Sequence, residues 1–414
     1  MAAQSLSDAQ DAARFAPDSS YAWLRLALSL LLGTVACVGT WSVVVVLPTV
    51  QAEFGTLRAG ASLPYTCVML GFGFGNIAMG RIADRYGIVV PIVLGAVLLG
   101  AGYMLAGFAQ TLWQFALVHL LLIGVGCGAG FAPLIADLSH WFRRHRGLAV
   151  VFGASGSYLA GVIWPQVITW GLANHGWRAT HIGIGLVALA VMLPLALFFR
   201  RRPSAAHLAA DEAASAGARG DLGLSATQLQ WLLAVAGFCC CVAMAMPQVH
   251  LVAYCGDLGY GVARGAEMLS LMLGLGIISR VGSGFVADRI GGAATLALGS
   301  LMQGLALFLY LWFDGLTSLY IVTGIFGLFQ GGIVPMYAVI IREYLPAKEA
   351  GVRIGIVMSA TVVGMAFGGY ISGAIFDASA SYRMAFLNGM AWNLVNLAIV
   401  AWLMLRARRK AVVA

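Results

Sequence analysis

Charge is scarce in this 414-residue chain: Asp, Glu, Lys and Arg together make up 10% of it, and only Lys348 and Lys410 are lysines. A soluble globular protein carries about 25% charged residues and about 45–50% apolar ones. Here the apolar share is 61% and the mean hydropathy +0.90, so the chain reads as a membrane protein. Basic stretches interleaved with aromatics are also missing, and the net charge of +8 therefore does not point to nucleic acid. The first 22 residues contain no short apolar core followed by a small-residue cleavage site, which argues against a cleaved signal peptide.

Cysteine is odd in number, and Cys37, Cys67, Cys127, Cys239, Cys240, Cys241 and Cys255 all lie in or beside apolar segments. Consecutive helical positions point about 100° apart, so Cys239 to Cys241 cannot converge on one metal. They read as small packing residues, with no disulfide framework, metal or cofactor implied. His140 with His145, and His175 with His181, lack the i, i+4 spacing of a metal pair. The glycine runs at 71–75 and 124–130 follow no strand of a βαβ unit, so they read as helix-packing surfaces and not as nucleotide loops.

What the chain does contain is apolar runs long enough to cross about 30 Å of hydrocarbon, which takes about 20 helical residues. Twelve recur: 26–48, 62–80, 88–109, 114–136, 148–171, 182–199, 228–252, 268–287, 293–313, 319–341, 354–376 and 385–405. Placing both termini in the cytoplasm puts nineteen Lys and Arg residues on the inner side and four (Arg58, Arg178, Arg264, Arg383) on the outer side, as the positive-inside rule requires. The remaining basic residue, Arg280, lies within a span.

The chain also repeats. Gly80-Arg-Ile-Ala-Asp-Arg-Tyr-Gly87 recurs as Gly284-Phe-Val-Ala-Asp-Arg-Ile-Gly291, 204 residues on, and Pro133 is answered by Pro335. The predicted architecture is an all-α membrane protein of twelve transmembrane helices in two pseudo-symmetric six-helix bundles. A cytoplasmic tail (1–25) leads into the first bundle (26–199), an Ala-, Arg- and Gly-rich cytoplasmic linker (200–227), the second bundle (228–405) and a basic tail (406–414). In each copy of the repeat the glycines permit a tight turn. Asp84 can hold Arg85, and Asp288 can hold Arg289, forming a cytoplasmic gate that locks one conformation and releases it in another.

This repeated element resembles the cytoplasmic loop signature of the major facilitator superfamily, and the likeness covers all twelve spans. Trp141-Phe-Arg-Arg-His-Arg-Gly-Leu-Ala149 with Gly153-Ala-Ser-Gly-Ser-Tyr158, together with Gly176-Trp-Arg178, His250-Leu251 and Asp257-Leu-Gly259, resembles the monocarboxylate and oxalate/formate porter group. The resemblance implies alternating access around a central cavity, a bacterial-type inner (plasma) membrane location, a monomer, and a small organic anion as cargo.

The residues support that cargo in their own right. Arg280 precedes Asp288 by eight positions, about 12 Å at 1.5 Å per residue. An Arg at mid-bilayer costs about 2.5 kcal/mol or more, so it is a functional candidate by default. The 16 acids all lie in tails, loops, the linker or helix ends. A guanidinium without a protein counterion suits a substrate carboxylate, whose geometry its planar fork matches. The bland alternative is a snorkelling or carbonyl-paired structural Arg. The family's anion-binding arginine on the eighth helix falls at this position.

Two departures from the family matter: Gly276 stands where proton-coupled porters carry an Asp, and the eleventh span lacks the lysine of the oxalate/formate exchanger. One fixed positive charge favours a monocarboxylate over a small dicarboxylate. Coupling is either to a counter-anion, because closing an unloaded cavity would bury Arg280 unpaired, or to protons through His119 or His250. Trp41, Tyr65, Asn76, Tyr158, Gln248, Gln330 and Tyr337 are the candidate cavity-lining residues. Competing readings are proton-driven export of a hydrophobic compound, against which the missing buried carboxylate counts, and a membrane-embedded enzyme or sensor, for which no convergent acid/base constellation or signalling domain is visible.

Overall fold

The computed structural model describes residues 18–142, 146–201, 224–344 and 347–413. Most of the predicted first tail and of the linker, and the side chains of Asp84 and Asp288, lie outside the described residues. Among the described residues there is no strand. Eleven helical segments are long and apolar enough to span a membrane. The longest, Val151–Phe199, has 49 residues and is broken at Gly176, whose φ of 75° and ψ of 167° are not helical. Splitting it there yields twelve spans, numbered first to twelfth below, as predicted. A run of that length would otherwise need about 74 Å of helix, well over twice the hydrocarbon thickness.

Several boundaries differ from the sequence reading. The first span, Ser20–Glu53, starts within the predicted tail, where the Ser19 side chain accepts from the amide of Ala22. The seventh, Ala226–Asp257, starts within the predicted linker on a capping box of Ser225 and Gln228. The last helix, Tyr382–Val413, continues through the predicted basic tail. Polar residues do not stop a helix whose apolar face is already docked, so hydropathy underestimates these lengths.

The repeat has the same backbone at both sites. Gly87 (φ 88°, ψ 162°) ends the helix Arg58–Tyr86, and Gly291 (φ 82°, ψ 161°) ends Val262–Ile290. Both φ values are open to glycine and strained for other residues. The fourth and tenth spans are interrupted at matching places. The fourth breaks at Phe131, just before Pro133, after the three-residue turn Gly128–Gly130. The tenth breaks at Gly331 and Gly332, just before Pro335. Each break packs backbone to backbone on a glycine of a neighbouring span: a Cβ on Gly128 would lie 2.4 Å from Gly75, and one on Gly331 would lie 2.0 Å from Gly276.

Two seams join the halves, the second span against the eleventh and the fifth against the eighth. They are closed on the face opposite the termini. There Asp377 accepts from the amides of Arg58 and Ala59 at 2.9 and 2.7 Å, capping the second span from the other half. The Arg58 guanidinium pairs with Asp257 at 2.6 Å, and Tyr382 donates to the same carboxylate. Arg58, predicted as an outer loop charge, is thus a buried clasp residue. Toward the termini face, a Cβ at Gly80, Gly284 or Gly355 would meet nothing within 4 Å.

Near the termini face, Arg25 is 1% exposed and makes a bidentate pair with Asp137, Nε to Oδ2 at 2.6 Å and Nη2 to Oδ1 at 2.7 Å. Its guanidinium lies 4.8 Å from the rings of both Trp141 and Phe199. Removing one partner of a buried pair strands the other charge, at a cost of about 3–5 kcal/mol. Arg25→Gln and Asp137→Asn are each expected to lower the melting temperature of the purified protein sharply, and the double variant by less than the sum of the two. Additive effects in the double-mutant cycle would show that the pair does not act as a unit.

Candidate functional site

Arg280 lies on the eighth span, within the fifth–eighth seam, and is 4% exposed. Its side chain neither snorkels nor finds an acid: among the described residues it makes no ion pair. Nε donates to the carbonyl oxygen of Gly331 at 3.1 Å and Nη1 to that of Ala154 at 2.8 Å. Its Cζ stands 4.1 Å from the ring centroid of Tyr158, a cation–π contact. Among the described residues Nη2 donates to no carbonyl or carboxylate, and the Tyr158 hydroxyl lies close to the guanidinium.

Both acceptors owe their availability to interrupted helices. Ala154 ends the helix Arg146–Ala154, and the chain turns at Ser155 before the fifth span resumes at Gly156. Gly331 caps Leu316–Gln330. The final carbonyls of a helix have no intrahelical partner and carry the negative end of its dipole, equivalent to roughly half a charge. Arg280 therefore faces two helix C-termini, one from each half of the molecule. The expectation that closure without cargo would leave this charge unpaired needs correction, because the protein solvates it with carbonyls and a π face.

The repeat gives this position a counterpart. Asn76 precedes Arg280 by 204 residues, the period of the Gly80/Gly284 element. Asn76 Oδ1 accepts from the amide of Ala132 at 3.1 Å, directly after the break in the fourth span. Equivalent positions thus serve the broken span of their own half, a neutral amide in one and a cation in the other. Reading the repeat only as far as its glycines and Asp-Arg pair missed this relation, although counting four residues back from each first glycine would have found it.

Tyr158 joins Arg280, and Trp41 packs on the same stretch of the fifth span. The Trp41 indole donates to the carbonyl of Ser157 at 2.8 Å, and its ring would lie 2.9 Å from a Cβ on Gly161. Tyr65, fully buried, lies on the other seam against Gly369 of the eleventh span, and its hydroxyl has no partner among the described residues. The remaining candidates are placed elsewhere or already engaged. Asn76 is committed to Ala132. Gln248 and Gln330 are hydrogen-bonded to each other between the seventh and tenth spans. Tyr337 donates to Asn396 at 2.9 Å, and Asn396 donates to Ser300 at 2.7 Å, so it faces the ninth and twelfth spans and not the seam. His250 contacts the Gly369 carbonyl at 2.8 Å. His119 lies inside the first half, beside His181 and Phe115. Of the gate residues, Gly87 and Gly291 form the predicted turns, Gly80 and Gly284 are open, and Arg85 lies over Tyr86 at 5.3 Å.

Tyr337→Phe would leave the Asn396 acceptor unsatisfied, at a cost of about 1–3 kcal/mol. We expect a lower melting temperature with unchanged substrate affinity, read by thermal unfolding and by direct binding on the same preparation. An affinity loss equal to that of Tyr158→Phe would return Tyr337 to the site.

Comparison with known proteins agrees with this architecture. The sequence profile of the Major Facilitator Superfamily matches residues 29–326 and 283–413. Monocarboxylate transporter 13 of Bos taurus is 27% identical over 337 residues, covering 79% of this chain and 76% of its own. The MFS-type transporter pynF of Aspergillus niger is 26% identical over 328 residues (79% and 74%), and the fujikurins efflux protein of Gibberella fujikuroi 28% over 304 (72% and 63%). A crystal structure of a bacterial homolog to the human lysosomal transporter Spinster, inward-facing and occupied, superposes with a TM-score of 0.73 at 14% identity, covering 94% of this chain and 98% of that one. With its profile match, its twelve spans and its duplicated Asp-Arg turns, the chain belongs to the major facilitator superfamily of membrane transporters.

Proposed function

We propose that this transporter carries a small organic anion, preferably a monocarboxylate, by alternating access, with Arg280 as the charge anchor and Tyr158 and Trp41 walling the site. The single observation behind this reading is a cation buried on the seam between the halves that, among the described residues, contacts only neutral groups and no carboxylate. A carboxylate binds a guanidinium best through two parallel N–H donors. Nη1 carries two N–H groups, so a carboxylate can take one from each terminal nitrogen beside the Ala154 bond, and Ala154 and the Tyr158 ring are the contacts of Arg280 with the other half. Cargo held there lies on the contacts that join the fifth and eighth spans, which links it to conformational change. The termini and the Asp-Arg turns face the cytoplasm in this reading, and the clasp of Arg58, Asp257 and Asp377 closes the outside.

A second reading has its own support. With carbonyls and a ring compensating the charge, the seam can also accommodate an uncharged apolar compound, and one relative matched here is named as an efflux protein. The two readings differ in what Arg280 contributes. A thermal-shift screen of small mono- and dicarboxylates and of uncharged apolar compounds separates them, using wild type, Arg280→Lys and Arg280→Gln. A carboxylate at 100 times its Kd stabilises the wild type by about 2.7 kcal/mol. Both variants lose that shift, since an ammonium cannot reproduce the planar fork. Equal stabilisation of wild type and Arg280→Gln overturns the anion reading, and stabilisation of both by apolar compounds alone establishes the second.

A further inference from the structure

The interior of the first half holds two imidazoles that the transport reading does not use. His119 opens the π-helical stretch His119–Gly124 of the fourth span, and His181 lies on the sixth; both are fully buried. Such π-turns are frequent at functional sites. Their ring centroids are 6.2 Å apart at an interplanar angle of 66°. His119 Nδ1 lies 2.7 Å from the carbonyl oxygen of Phe115, and His181 Nδ1 lies 2.9 Å from that of Trp177. A carbonyl only accepts, so each Nδ1 carries the hydrogen. In the neutral rings both Nε2 atoms are then bare acceptors. Among the described residues both are buried without a partner.

Two acceptors cannot satisfy each other, and each unmet buried acceptor costs about 1–3 kcal/mol. Among the described residues the surroundings supply no donor. Phe115 packs at 4.2 Å from His119, while Trp177 and Tyr103 pack at 5.4 and 5.5 Å from His181. The Tyr103 hydroxyl is engaged with Ser42, and the Trp177 indole donates to Glu53. Tyr103 packs on His181, and Glu53, which accepts from Trp177, is paired with Arg178. A directly shared proton would need the two Nε2 atoms in hydrogen-bond contact, and no such bond joins them. A molecule with two donors remains, and a buried water is the common one, typically bridging groups of this kind.

We propose that His119 and His181 hold one water molecule that donates to both Nε2 atoms, tying the π-turn of the fourth span to the sixth. The pair then serves as a hydration site, and His119 does not relay protons. The test is nitrogen-15 NMR of histidine-labelled full-length protein in lipid. Between pH 5 and 8, both rings should keep the Nδ1–H tautomer with a hydrogen-bonded Nε2 and show magnetisation transfer from water. An Nε2–H or imidazolium signal, or no transfer from water, overturns the proposal. Melting temperatures give a second readout: His119→Phe and His181→Phe should each destabilise more than the double variant does. Additive losses in the double variant would also overturn it.

Discussion

One buried cation lying between the ends of two interrupted helices organises the centre of this molecule. A guanidinium cannot shed its charge, so the surrounding chain must supply negative potential or leave the residue at the surface. Here the potential comes from backbone. The turn at Ser155 frees the Ala154 carbonyl and the Gly331–Gly332 turn frees that of Gly331, and Arg280 bonds to both. The glycine contacts follow from the same need. A Cβ on Gly331 would lie 2.0 Å from Gly276 and one on Gly276 would lie 2.5 Å from the Tyr158 ring, so a side chain at either would disturb a contact of Arg280.

That arrangement makes the site mechanical as well as electrostatic. Hydrogen bonds to one carbonyl from each half make Arg280 part of the seam, so whatever competes for its donors also changes how firmly the halves hold together. At the other end of the seams, the capping of the second span by Asp377 and the Arg58–Asp257 pair are ionic contacts between halves. The centre is held by a cation on neutral carbonyls, and the closed face by full charges. Two bundles rocking about such a seam would exchange strong contacts at the periphery for adjustable ones at the centre.

Much of this was legible beforehand. Twelve apolar runs, the 204-residue repeat and the lone membrane-depth arginine follow from composition and spacing, because the bilayer sets helix length and penalises charge. Tyr158 was legible as a neighbour of the site, since the signature it closes sits where the fifth span begins. The remaining candidates share a feature. Tyr337, Asn76, Gln248 and Gln330 are polar residues in apolar spans, yet each satisfies another part of its own half. A polar side chain in hydrocarbon needs a partner wherever it points, so polarity marks a partnered residue and does not say whether the partner is protein or cargo. Arg25 and Asp137 were read as end charges for the converse reason: their pairing spans 112 positions of sequence.

The sequence by itself determined the solvent, the number of crossings, the duplication and the presence of one cation at membrane depth, since each depends on local composition or on a period along the chain. Only the tertiary structure decided what that cation touches. Its partners are peptide carbonyls, which every residue possesses and no residue type announces. They become acceptors only where a helix breaks and the break is packed against the eighth span, and that depends on how separate stretches of chain meet in space.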